Sequence, residues 1–183
     1  MQKRSREVLK NLADLFLIMI DMLPWQWAPD PQETIAGTVL IDRVGRAIRL
    51  GDLRGRVILL SFWRASSPEC RDNVAALERF SSELGDLGDR VEFLFASIKT
   101  KEYADDVAWL RQAGSRHSTL RWEDRDSDQL RVFFKGKWSW KVPNTFLISP
   151  DGDIAEWNCG TTIDIRGYLE KTRALLAPAE AAA

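Results

Sequence analysis

The sequence predicts an α/β fold in which parallel strands are joined through helices. A short, continuous apolar run at 57–62 is rich in branched and aromatic residues, as in a strand covered on both faces, and the segment 91–98 is also strand-like. Each is followed by apolar residues at helical spacing, up to about residue 84 and over 104–113. Such strand–helix–strand units form parallel sheets with right-handed crossovers. A chain of 183 residues is long enough for one domain with a sizeable core.

The first 27 residues predict an amphipathic helix of about six turns. Its apolar face is formed by residues three and four apart, namely Leu9, Leu12, Phe16, Met19 and Leu23. A basic start suggests a signal peptide or anchor, but the longest apolar run, 15–20, is bracketed by Asp14 and Asp21, whereas a membrane span needs about 20 apolar residues. No small-residue cleavage site follows. We therefore expect a docking or homodimerisation helix in a cytoplasmic protein, with a membrane-surface helix or export as alternatives.

The helix that follows the first strand begins with a distinctive motif, Ser67-Pro68-Glu69-Cys70. Ser67 offers an N-cap oxygen, and Pro68 suits the first helical position because it needs no N–H partner. Cys70 therefore lies in the first helical turn, where unpaired N–H groups and the helix dipole favour the thiolate. Arg64 and Arg71 add to this effect and Glu69 opposes it, so Cys70 is the candidate nucleophile.

The last third of the chain predicts a hairpin and a closing helix. A loop containing Asp126 precedes a short helix at 128–134, strands at 145–149 and 154–160 flank the turn at 151–152, and the last helix begins at Asp164. Because a returning strand ends near the start of its partner, Cys159 and Gly160 should lie close to Pro143. The alanine-rich tail, 179–183, is expected to be disordered.

An ordered series of segments resembles the thioredoxin-fold proteins of the TlpA and AhpC/TSA (redoxin) type. The segments are 28–30 (APD), 45–50 (GRAIRL), 53–57 (LRGRV), 62–63 (FW) and 142–152 (VPNTFLISPDG). The resemblance implies one thioredoxin-like domain over 28–178, with a central mixed sheet flanked by helices. It also implies a cis proline at Pro143, facing the redox cysteines.

Compared with this family, the motif lacks one sulfur. The resemblance matches Cys70 to the second cysteine of a Cys-x-x-Cys site and Ser67 to the first, attacking one. A dithiol enzyme forms a mixed disulfide through the first thiolate and resolves it with the second, which a serine hydroxyl cannot initiate. Three explanations remain: an engineered serine, a natural one-cysteine protein, or a fold kept for binding alone.

A one-cysteine peroxidase is the first alternative, since peroxiredoxins resemble this pattern. They carry Thr or Ser three residues before a peroxidatic cysteine, as Ser67 precedes Cys70, although their proline four residues before that hydroxyl is Trp63 here. Cys159 is a second sulfur that could resolve or pair with Cys70, or simply fill a strand position. The substrate would then be a peroxide rather than a protein thiol or disulfide.

A non-catalytic binding module is the second alternative. The segment before Pro143 is longer than in the family and carries Trp138 and Trp140 with three lysines, which suits an aromatic, basic rim for a partner, unless the tryptophans fold onto the core. The other residues predicted to contact a substrate or partner lie in or next to the Ser67–Cys70 motif and Pro143. They are Trp63, Pro68, Glu69, Val142, Pro143 and Gly160. An accessible Cys70 of low pKa would favour chemistry, and a buried one would favour binding.

Composition excludes several other classes. With 26 basic and 27 acidic residues the chain has no overall bias toward nucleic acid or anionic membranes. The single histidine, His117, lies in a polar stretch that we interpret as an exposed loop, away from any metal-ligand spacing. We expect no metal and no cofactor. The sequence thus predicts a thioredoxin-like thiol–disulfide redox protein with an atypical or silenced site.

Overall fold

The computed structural model describes residues 35–98, 100–122 and 141–177. Within these residues seven strands form one mixed sheet in the order β2-β1-β5-β4-β3-β6-β7. The strands are β1 (Val39–Ile41), β2 (Ala47–Arg49), β3 (Val57–Trp63), β4 (Val91–Ser97), β5 (Thr119–Trp122), β6 (Asn144–Ile148) and β7 (Ile154–Cys159).

Three α-helices that lie wholly within the described residues accompany the sheet: α1 (Pro68–Glu83), α2 (Tyr103–Gln112) and α3 (Ile165–Leu176). Short 3-10 helices occupy Leu50–Leu53, Gly85–Arg90 and Thr100–Glu102. Helix α3 begins after Asp164, whose carboxylate accepts a hydrogen bond from the Gly167 N–H and so caps the first turn. No helix among the described residues is long and apolar enough to cross a membrane.

The central strand β3 buries all seven of its side chains. Because successive side chains point to opposite faces, Leu59 and Trp63 join one core with residues of α1, α2 and α3, while Leu60 and Phe62 join a second core on the opposite face. This explains why the strand reads as a continuous apolar run rather than an alternating one.

The connections agree with the predicted mixed sheet. Strand β3 pairs parallel with β4, and β4 with β5, through the crossover helices α1 and α2. Strand β6 pairs antiparallel with both β3 and β7, which closes the sheet with the predicted hairpin. Helix α1 begins after Ser67, and helix α2 lies within one residue of its predicted bounds.

Two parts of the sheet were not predicted as strands. The hairpin of β1 and β2 and the short strand β5 add three strands to one side. The predicted helices at 1–27 and 128–134, the residues Trp138 and Trp140, and the tail at 179–183 lie outside the described residues.

Candidate thiol site at the start of helix α1

Ser67 forms the predicted N-cap of α1. Its Oγ accepts a hydrogen bond from the Cys70 backbone N–H at 3.4 Å and donates one to Oε2 of Glu69 at 2.7 Å. The side chain is buried, and Pro68 occupies the first helical position. The hydroxyl therefore satisfies an N–H group that would otherwise be left without a helical partner.

Cys70 lies in the first turn of α1, but its thiol is fully buried, with 0% of the residue exposed. Burial raises the pKa of the Cys70 thiol above its ordinary value, and the Glu69 charge adds to this effect. Interactions with the Arg64 backbone and the Ser67 side chain, together with the Arg64 charge, lower the pKa without overcoming burial. The helix terminus thus does not produce the thiolate that the sequence suggests.

Arg64 is the basic side chain that the structure brings to the thiol. It follows β3 directly, is half-buried, and carries its Nε in a buried position without a hydrogen-bond partner among the described residues. Its positive charge acts on both Glu69 and Cys70, lowering the pKa of each. The Arg64 Nε–H is thus a buried donor without a partner among the described residues, on a side chain whose charge reaches the thiol.

Pro143 lies beside this site at the start of β6, and the Val142–Pro143 peptide bond is cis. Phe62, near the end of β3, pairs with Asn144, so the proline lies level with the loop that leads to Cys70. Val142 belongs to the same core cluster as Cys70. Motif and proline therefore meet at one edge of the molecule, although Val142 and Pro143 are themselves buried.

Cys159 lies at the same edge but on the other face of the sheet. It pairs directly with Asn144, and Gly160 donates a backbone hydrogen bond to Pro143 at 2.7 Å. Directly paired residues share a face, and Asn144 accepts a hydrogen bond from Trp157, which stacks on Phe146 of the second core.

The two sulfurs are consequently separated. Cys70 packs in the first core with Trp63, whereas Cys159 follows the face of the second core, and β7 lies two strands, about 10 Å, from β3. Both thiols are free. A disulfide needs Cα atoms within about 4.4–6.8 Å and side chains that point toward each other. The fold as described does not bring Cys70 and Cys159 into bonding range.

The predicted contact residues differ widely in exposure. Trp63 has 0% of its surface exposed and donates from Nε1 to Thr119 Oγ1 at 3.1 Å, so it is a core residue and cannot contact a partner. Pro68 and Glu69 are exposed, and Gly160 is half-buried. The accessible surface of the site is therefore the first turn of α1 with the loop after β7.

A buried polar network below Cys70 was not predicted. Asn73 donates from Nδ2 to Ser61 at 3.3 Å and to Thr145 at 3.1 Å, and its Oδ1 accepts from the Ile163 N–H at 3.0 Å. Ser61 and Thr145 also hydrogen-bond each other at 3.0 Å. The network ties the helix that carries Cys70 to both strands of the site. Its sequence signal was a hydroxyl inside each of two apolar strands.

A second group missed by the sequence interpretation is Asp106 of α2. It is fully buried, and its two carboxylate oxygens accept from the Ala65 N–H at 2.6 Å and from the Ser97 hydroxyl at 2.5 Å. Burial raises the pKa of Asp106, while these two hydrogen bonds lower it. Ala65 lies in the loop between β3 and α1, so this carboxyl holds the backbone of the loop that leads to Cys70.

His117 corrects the expectation of an exposed loop residue. It is half-buried and stacks on Phe93 with ring centroids 4.6 Å apart, and its Nε2 is buried without a hydrogen-bond partner among the described residues. Burial lowers the pKa of the imidazole. The described residues contain no group of His, Cys, Asp and Glu that could hold a metal ion.

Structural comparison supports the same fold. A protein from Chlorobium tepidum assigned as the thiol:disulfide interchange protein DsbE superposes with a TM-score of 0.60 at 18% identity, covering 75% of this chain and 92% of its own. A protein from Neisseria meningitidis assigned as a thioredoxin gives 0.62 at 18% identity, over 81% and 93%. The thioredoxin domain of a thiol-disulfide oxidoreductase from Bacteroides vulgatus gives 0.58 at 21% identity, over 75% and 94%.

Sequence comparison identifies the family. No curated protein sequence matches the chain significantly. The sequence profile of the AhpC/TSA family matches residues 27–157, which include β1 to β6, helix α1 and the cis proline. The resemblance inferred from the sequence is confirmed, and the chain belongs to the AhpC/TSA family of thioredoxin-fold proteins.

Proposed function

We propose that this chain is a thiol–disulfide redox protein whose attacking position is silenced by Ser67, so that it binds a protein thiol or disulfide partner without completing dithiol exchange. The observation that carries this proposal is the state of the remaining thiol. Cys70 is fully buried and its pKa is raised, as suits a resolving position and not an attacking one.

The chemistry of exchange supports this assignment. Exchange begins when a thiolate attacks a disulfide sulfur; a mixed disulfide forms and the other sulfur leaves as thiolate. The hydroxyl of Ser67 is a far weaker nucleophile and is already engaged with Glu69 and the Cys70 backbone. The cis proline at 143 and the exposed first turn of α1 lie at the same edge as the motif, which supports partner recognition without turnover.

Restoring the sulfur tests the proposal. The Ser67→Cys variant should form an intramolecular disulfide with Cys70 under mild oxidation and should catalyse the reduction of insulin by dithiothreitol, while the parent chain remains at the uncatalysed rate. Ser66→Cys is the matched control, because Ser66 is exposed in the same loop one residue earlier. Thiol titration and peptide mass identify the bonded pair.

Two outcomes would contradict the proposal. If the parent chain reduces insulin as fast as Ser67→Cys, Ser67 does not silence the site. If Ser67→Cys folds but forms no disulfide with Cys70 and shows no activity, the motif is not a redox site. A Ser67→Cys/Cys70→Ser variant should trap mixed disulfides with partner proteins, and its peptide partners would define the client.

Peroxide reduction through Cys70 is a second candidate, favoured by Arg64. The Arg64 Nε, which has no hydrogen-bond partner among the described residues, could donate to a peroxide oxygen, and the Ser67 hydroxyl could join it if it released Glu69. The thiolate would attack the O–O bond, giving a sulfenic acid and an alcohol or water, and an external thiol would reduce the sulfenic acid. Burial of Cys70 opposes this route.

Peptide mass after exposure to hydrogen peroxide decides between the candidates. Peroxidase activity requires that Cys70 gains one oxygen faster than Cys159. Cys159 is half-buried and, measured in the same sample, serves as the internal reference. Arg64→Gln should then slow oxidation of Cys70 alone. Oxidation of Cys159 first, with Cys70 unchanged, would rule out the peroxidase.

A further inference from the structure

Helix α2 and the residue before it contact the loop that leads to Cys70 at several points. Glu102, Asp106 and Trp109 stand four and three residues apart, so they share one side of the helix and its preceding turn. Each contacts a successive part of the chain from the last residue of β3 onward. The contacts are Trp109 with the Trp63 ring (centroids 5.8 Å), Asp106 with the Ala65 N–H (2.6 Å) and Glu102 with the Ser66 hydroxyl (2.9 Å).

Asp106 is the unusual member of this group. It is 0% exposed, and no ion pair with a lysine or arginine is found for it among the described residues. Glu102 and Asp105, the neighbouring acids, disfavour its charge. A buried carboxylate without a cation contributes little to folding stability, because the free-energy cost of removing it from water is offset here by two hydrogen bonds alone. Such a group is often kept for what it positions.

We propose that Asp106 is a positioning residue that, with Glu102, holds residues 64–67 closed over Cys70 and thereby sets how often the thiol becomes accessible. Asp106 fixes the Ala65 backbone and Glu102 fixes the Ser66 side chain. Both anchors immediately precede Ser67, which caps the turn containing Cys70. A loop released at Ala65 and Ser66 can move away from the turn and uncover the sulfur.

Access to Cys70 follows from this arrangement whatever chemistry the thiol performs. The loop connects a central strand of the sheet to the first turn of α1, and both ends are fixed by core packing of Trp63 and Cys70. Only the segment between them can open without unfolding the domain. The hydrogen bonds to Asp106 of α2 and to Glu102, directly before α2, therefore control the opening.

The experiment measures alkylation of Cys70 by iodoacetamide at pH 8 in the full chain, by peptide mass, with Cys159 as the internal reference. Asp106→Ala removes both acceptors and leaves the Ala65 N–H without its partner, so labelling of Cys70 should become about tenfold faster or more. Asp106→Asn keeps a carbonyl oxygen for the Ala65 N–H and should restore most of the protection. Labelling of Cys159 should not change.

A destabilised control separates local opening from global unfolding. Leu176→Ala removes a buried side chain at the far end of α3, away from the loop, and lowers stability without touching either anchor. Each variant's stability is measured by urea unfolding. If Leu176→Ala accelerates labelling as much as Asp106→Ala at equal stability, or if Asp106→Ala labels at the parent rate, the proposal is overturned.

The anchor at Glu102 provides an independent test should Asp106→Ala fail to fold. Ser66 is exposed, so Ser66→Ala should fold normally while removing one anchor. It and Glu102→Ala, which removes the acceptor, should each accelerate labelling by about threefold, the size expected for a solvent-exposed interaction with a charged group. Parent-like labelling in both variants would overturn the proposal.

Discussion

Removing the amide of Asn73 should cost far more stability than its small side chain suggests. Asn73 is 0% exposed and makes three hydrogen bonds, to Ser61, Thr145 and the Ile163 N–H. In Asn73→Ala the buried Ile163 N–H loses its partner, which costs about 1–3 kcal/mol, and two hydroxyls lose a donor, which adds about 1 kcal/mol. We expect a loss of about 2–4 kcal/mol in the free energy of unfolding.

Urea unfolding followed by tryptophan fluorescence measures this loss. With a slope of about 2 kcal/mol/M, the midpoint should fall by about 1–2 M. Asn158→Ala is the matched control, since among the described residues the Asn158 side chain hydrogen-bonds Thr161 alone, at an exposed site, and its removal should cost about 0.5 kcal/mol.

A double-mutant cycle locates the energy in the network. Combined with Thr145→Val, Asn73→Ala should cost less than the sum of the two single losses, by about 0.5 kcal/mol or more, because the two residues share a hydrogen bond. If Asn73→Ala loses no more stability than Asn158→Ala, the buried network does not hold α1 to the sheet. The account of how Cys70 is positioned would then be wrong.

Two further predictions concern titration and oxidation. Burial lowers the pKa of His117 from its usual 6.5, so the unfolded chain binds a proton that the folded chain resists, and stability should fall as the pH drops below 6.5. His117→Phe should lose that slope in urea midpoints measured between pH 7 and pH 5; an unchanged slope would contradict the burial argument. Because Cys70 and Cys159 lie on opposite faces of the sheet, oxidation with copper phenanthroline should give no intramolecular disulfide by non-reducing peptide mass. A Cys70–Cys159 peptide from the folded protein would refute the placement.

The elements predicted correctly had strong local signals. Strand β3 is seven residues of continuous apolar sequence, and α1 begins with a hydroxyl cap followed by proline. Strands β1 and β2 are three residues each, too short for an alternating pattern to stand out, so their pairing depends on the rest of the sheet. Ser61 and Thr145 each stand out as a hydroxyl in an apolar strand, but they are 84 residues apart, so nothing local indicates that they pair with each other.

Cys70 shows why a local electrostatic argument was insufficient. Charge at a helix N-terminus is worth about 0.3–1 kcal/mol at the surface, whereas full burial shifts a pKa by up to several units. Sequence spacing reveals that Cys70 lies in the first turn, but its depth depends on Trp63, Val142 and the helices that pack over it. Burial was the larger effect, and tertiary packing alone determines it.

The same packing supports the proposal that Ser67 alone silences the site, because the surrounding geometry already suits a dithiol. Ser67 Oγ already lies 3.4 Å from the Cys70 N–H, so a sulfur at this position would occupy the N-cap and its thiolate would be stabilised by that group. Cys70 is already buried behind it with a raised pKa, as a resolving thiol requires. Asp106, Asn73 and the proline edge are all independent of the residue at position 67. Since none of these parts needs to move, a single exchange of oxygen for sulfur should be sufficient to restore dithiol chemistry.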